Sequence, residues 1–235
     1  MQSWHRKPIL KKGFDGNADM RTLQWTVALW AVPFLLAASD EAKQELERLG
    51  AEVRVRSDYT EAVFLGKRWQ GKDSDLERLK EIPNLGEIRF AYAQITDAGL
   101  AHFADLSGVK RLSILAGAIS GPGLKILSGL TQLEYLRLSE CKIRDEGLRH
   151  LASLTQLKEL FLDNTEITGS GLGHLSGLKA LKTLDLHNSP VADASLEHLK
   201  ALESLNDLRL YRTQVTDEGF RELRSFLEPN CSITR

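Results

Sequence analysis

Leu127 to His150 reads LSGLTQLEYLRLSECKIRDEGLRH, Leu151 to His174 reads LASLTQLKELFLDNTEITGSGLGH, and Leu175 to His198 reads LSGLKALKTLDLHNSPVADASLEH. The three stretches align without a gap. Their phase runs outward in both directions, so that Leu79, Phe103, Leu127, Leu151, Leu175, Leu199 and Leu223 recur every 24 residues. Six such units fill residues 79–222. A seventh, degenerate copy is read before them, with Phe64, Asp73, Leu76 and Leu79 standing one repeat ahead of Ile88, Asp97, Leu100 and Phe103.

Each unit has a mechanical reading. Leu136 and Leu138 alternate and so point to one side of a short extended segment. Leu133 and Ile143 bracket it and point the same way. One unit cannot bury these residues alone; stacking on its neighbours makes a continuous core and pairs the short strands into a parallel sheet. After the strand comes Thr96-Asp97-Ala98-Gly99-Leu100, matched by Thr216-Asp217-Glu218-Gly219-Phe220. Thr or Asp there caps the first free amides of a short helix, and the acid meets its positive end. Leu148, Leu151 and Leu154 follow at i, i+3 and i+6; the first two mark the inner face of that helix, and the third packs where the helix gives way to a turn. The fold class expected is therefore an α/β solenoid, a right-handed curved stack with a parallel sheet on the concave face and short helices on the convex face.

The unit LxxLxxLxxLxLxxTxITDxGLxx, seen over 79–102 as LKEIPNLGEIRFAYAQITDAGLAH, resembles the leucine-rich repeat. Its I-T-D-x-G-L form is similar to the leucine-rich repeat proteins abundant in some environmental bacteria. The resemblance covers Leu79 to about Phe226, and it implies a rigid binding module whose concave strands carry the ligand. Departures are mild. The usual Asn or Thr after the strand becomes Ala93, Gly117, Cys141, Thr165, Ser189 and Thr213, so hydroxyl bonds can form in only part of the stack. The second repeat loses its Asp to Gly121.

Solenoid ends need caps. Residues 40–78 are read as the N-terminal cap with the degenerate repeat. It holds a helix over Asp40 to Leu49 with Ala42, Leu46 and Leu49 inward, stopped by Gly50. A strand in which Val53 and Val55 alternate with Arg54 and Arg56 follows. Residues 223–235 are read as the C-terminal cap, with Cys231 as a small buried residue. The first 39 residues stand apart. Residues 22–39, TLQWTVALWAVPFLLAAS, carry no charge and follow Arg6, Lys7, Lys11, Lys12 and Arg21. That pattern fits a signal peptide or a membrane anchor, with Met20 as an alternative start. The expected location is the cell envelope, exported or anchored; the alternative is a hydrophobic helix of a cytoplasmic protein.

The 31 basic and 32 acidic residues leave a formal charge of -1. That balance argues against nucleic acid as a partner, which would need a cationic surplus. Two cysteines cannot make a disulfide framework. There is no phosphate-binding glycine loop, no HExxH, no GxSxG and no CxxC, so no catalytic residue, cofactor or metal is expected. His150, His174 and His198 share one phase and form a column on the convex helices, read as a solvated row rather than a metal site.

Counting offsets from Leu133 places four columns on the concave face, led by Glu87, Arg89, Ala91 and Tyr92. Of the 4 tyrosines, Tyr92, Tyr135 and Tyr211 fall there, with Phe161 among them. Nothing in the core pattern requires an aromatic at these positions, and exposed Tyr and Arg carry binding energy at interfaces. The candidate site is therefore Tyr92, Tyr135, Arg137, Phe161, Asp163, Asp185, His187, Arg209, Tyr211 and Arg212. The function expected is non-enzymatic binding of a protein or peptide by a monomeric solenoid. The competing reading is a structural protein that self-associates through a poorly covered end.

Overall fold

The structure is a computed structural model that describes residues 39–235 except Tyr59, Glu228 and Pro229. Met20 and the segment read for export, save Ser39, thus lie outside the described residues. Among those described, no helix is long and apolar enough to cross a membrane.

Residues Ser39–Arg235 form one compact unit built on a single sheet whose strands follow chain order. These are β1 (Ala51–Val55), β2 (Glu61–Leu65), β3 (Leu85–Ala91), β4 (Arg111–Leu115), β5 (Tyr135–Ser139), β6 (Glu159–Phe161), β7 (Thr183–Asp185), β8 (Asp207–Arg209) and β9 (Ser232–Thr234). β1 is antiparallel to β2 and every later pairing is parallel. From β3 to β8 the register follows the repeat, so Leu112, Leu136, Leu160, Leu184 and Leu208 stand side by side. All of them are fully buried, as are Leu133 and Ile143 beside the strand. The result is the curved α/β solenoid that the repeat implies.

Behind the sheet the chain turns through short helices, many of them tighter than α. Asp73–Glu81, Asp145–Leu151, Leu172–Leu175 and Asp193–Ala201 are 3-10 helices, whereas Asp97–Leu100, Gly121–Leu127 and Asp217–Leu227 are α-helices. Three residues per turn is the spacing of Leu148, Leu151 and Leu154, so a 3-10 turn keeps this row facing the core.

The Asp of each turn does more than cap its own helix. Asp73 accepts from the Thr96 amide and hydroxyl of the next coil. Asp97 does the same with Ser120, Asp145 with Thr168 and Asp193 with Thr216. Where the Asp is missing, the next coil has no hydroxyl: Gly121 precedes Arg144, and Gly169 precedes Ala192. The space is managed in step. A Cβ on Gly99, Gly123 or Gly219 would collide with the Asp of the preceding coil. Ser195 replaces that glycine after Gly169, and its side chain fills the vacated room.

Two details of the strands differ from the simple repeat. Pairing between β2 and β3 shifts by one residue after Glu61, so Val63 rather than Phe64 stands beside Ile88. Val63 and Leu65 enter the core, and Phe64 faces the concave side. Val55 also departs from the inward place its alternation suggested. It is 66% exposed, because β1 is the edge strand of the sheet.

A residue of left-handed conformation follows each strand, one position after β3–β5 and three after β6–β8: Tyr92, Ala116, Glu140, Asn164, Asn188 and Arg212, all with φ between 53 and 59. Only Asn visits this region readily. The ladder holds Tyr92, Ala116 and Glu140 there, because the amide of this residue donates to the next coil. Tyr92 donates to the Leu115 carbonyl and Glu140 to that of Asp163, each at 3.0 Å.

Candidate functional site: the concave face

The concave face is two layers deep. Counting along the strands shows which side chains point away from the core, but several of these are covered by their neighbours. Glu87, Ser139, Asp163 and Asp185 are buried. Above them lie the guanidinium groups. The carboxylates of Glu87, Asp163 and Asp185 are 1%, 4% and 4% exposed, while the Arg89, Arg137 and Arg209 side chains are 48%, 37% and 44% exposed. Acids form a floor and cations a roof.

At the centre the parts interlock. Arg137 Nε donates to Ser139 Oγ at 2.7 Å, and Ser139 donates to Asp163 Oδ1 at 2.5 Å. Asn164 donates to Asp163 Oδ2 at 3.0 Å. One coil on, Asp185 Oδ1 accepts from the His187 amide at 3.0 Å and lies 2.8 Å from His187 Nδ1. Arg209 closes the row, its guanidinium 3.3 Å from Asp185 and 2.8 Å from Asp207. Over this floor Phe161 lies between Arg137 at 5.7 Å and Arg209 at 5.9 Å. Tyr135 packs against Phe161, ring centres 5.3 Å apart, and Arg111 stacks on Tyr135 at 4.1 Å. Stacking of this kind fixes side chains that would otherwise lose rotamer freedom on binding.

The ten candidate residues thus divide by place. Tyr135, Arg137, Phe161, Asp163, Asp185, His187 and Arg209 form the connected centre. Arg212 stacks on Tyr211 at 5.1 Å. Tyr92 and Tyr211 are 49% and 50% exposed. Lys67 sits 4.9 Å above the Tyr92 ring. Phe64 was not among the candidates, although Arg54 and Arg89 hold it at 5.4 and 5.2 Å. The one-residue register shift hid it.

Among the described residues, ligand-type side chains converge at Asp163, Asp185 and His187, whose donor atoms all lie within 4.8 Å. The chemistry there is already taken up. Asp185 holds His187 Nδ1, and Asp163 Oδ2 lies 3.8 Å from Nε2 and 4.0 Å from Arg137. A cation entering this spot would sit against two guanidinium groups, so the set acts as a clasp across four coils. His150, His174 and His198 lie on the helical segments instead. Cys141 is buried, and burial pushes its thiol up to about 11, so it is no thiolate at neutral pH. Cys231 is likewise buried, its thiol also raised to about 11 by burial.

Comparison with known proteins agrees with this architecture. A family model described as "Leucine Rich repeat" matches residues 129–152. No curated protein matches the chain. Solved structures do. An internalin from Listeria monocytogenes is 24% identical with a TM-score of 0.60, covering 72% of this chain and 46% of that one. Internalin C2 of the same species is 24% identical with a TM-score of 0.56, covering 72% and 70%. A leucine-rich repeat protein of Leptospira interrogans is 22% identical with a TM-score of 0.54, covering 71% and 40%. The chain therefore spans less than half the length of two of these three. The likeness establishes the leucine-rich repeat fold.

Proposed function

We propose that this chain is a non-enzymatic binding module that holds a protein or peptide across its concave face. The observation that carries the reading is the ordered aromatic and guanidinium array over β4–β8, at positions where core packing requires no ring. Such anchors, held in place before the partner arrives, are what interface energetics favours. The solved relatives add the fold, and fold alone does not assign function. On the reading of residues 22–39 as an export or anchor segment, the module works at the cell envelope.

Affinity capture from native-host extract tests this, with the full chain as bait beside a Tyr135→Ala, Phe161→Ala, Tyr211→Ala variant. A partner identified by mass spectrometry is expected to fall by about tenfold or more on the variant. Equal yields from both baits, with circular dichroism unchanged, would remove the concave face as the site. The self-assembly alternative draws on the last coil, where Phe226 is 58% exposed and β9 ends the sheet. It requires capture of the chain by itself.

A further inference from the structure

The N-terminal end of the concave face holds stacked cations that no carboxylate takes up. Toward the N-terminal end each ring carries a cation: Arg54 and Arg89 on Phe64, Lys67 on Tyr92, Arg111 on Tyr135. Most acids of this half are committed; Glu140, exposed just after β5, enters no ion pair among the described residues. Glu87 is buried beneath Arg56 and Arg89, Glu61 pairs with Lys43 and Glu52 with Arg54. Arg111 and Lys67 enter none of the ion pairs among the described residues. A guanidinium stacked by its flat face keeps its N–H edge available, and that edge matches a carboxylate. Toward the other end Arg209 is taken up by Asp185 and Asp207, while Glu159 enters no ion pair among the described residues.

We propose that the β2–β5 half of the face takes an acidic, extended segment of a partner protein. Its carboxylates engage Lys67, Arg89 and Arg111, and its apolar side chains lie on Phe64, Tyr92 and Tyr135. This inference rests on the concave-face reading and adds the chemistry of the ligand.

The test selects random twelve-residue peptides displayed on phage against the immobilised full chain. Selected peptides are expected to be richer in Asp and Glu than the input. By fluorescence anisotropy, a selected peptide is expected to bind about tenfold more weakly to Lys67→Gln, Arg111→Gln and to weaken as salt rises. The same charge change on the convex side, Lys125→Gln with Arg149→Gln, leaves binding unchanged. Peptides without an acidic excess, or displaced by a single-stranded oligonucleotide, would overturn the inference. If such peptides still need Tyr135 and Phe161, the binding-face reading survives it. If none needs the concave residues, both fall.

Discussion

Replacing Leu160 by Ala lowers the free energy of unfolding by about 2–5 kcal/mol, the range for deleting a buried leucine side chain. The side chain is fully buried on β6, between Leu136 and Leu184. A solenoid coil touches only its neighbours, so a cavity here weakens the two contacts that join the halves of the stack. Chemical denaturation reads the change as a lower midpoint. A second effect is specific to this architecture: hydrogen exchange should rise in 135–139 and 183–185 before it rises in β2 and β3. A midpoint that hardly moves would contradict the phase assigned to the repeat.

The next largest loss is expected from Asp145→Ala. Asp145 Oδ1 accepts from the Gly169 and Gly171 amides at 3.0 and 2.9 Å, and Oδ2 from the Thr168 amide and hydroxyl at 2.9 and 2.7 Å. Removing the acceptor strands three backbone donors, a cost of about 3 kcal/mol given the strength of hydrogen bonds to charged groups. The same contact makes stability depend on pH. Burial pushes the Asp145 carboxyl up, but the bonds from Thr168, Gly171 and Gly169 outweigh it and hold it below the ordinary carboxylate range. A depressed folded value means that the contribution is complete above the unfolded carboxylate value and fades as pH falls through the folded one. Wild type should therefore lose more stability than Asp145→Asn as pH drops below about 4. Parallel loss in the two proteins would show that this carboxylate carries no such linkage.

The phase of the core was legible because burial repeats with the coil. A residue such as Leu160 has the same neighbours in every unit, and periodicity reports that directly. The Asp staples were half legible. Thr96-Asp97 reads as a helix start, and Thr96 does cap the Ala98 amide at 3.2 Å. The reach of Asp97 to Ser120 of the next coil is visible in sequence only as a correlation between units: a hydroxyl follows where the preceding coil offers an acid. Depth on the concave face was not legible. Offsets told that Asp163 and Arg137 both leave the core, but Asp is short and Arg is long, so one is roofed over by the other. Glu87, Asp163 and Asp185 thus form a buried floor under exposed arginines. Phe64 was misplaced for a different reason. The extra residue at the β2–β3 junction changes the side on which every later residue of the strand falls.

The most direct test of the concave-face account is site-specific photo-crosslinking of the full chain in native-host extract. A photoreactive amino acid replaces Ser113, half-buried on β4 between Arg89 and Arg137, or His174, exposed on the convex segment. The account predicts a partner adduct from position 113 and none from position 174. Adducts from 174 alone, or equal adducts from both, would contradict it.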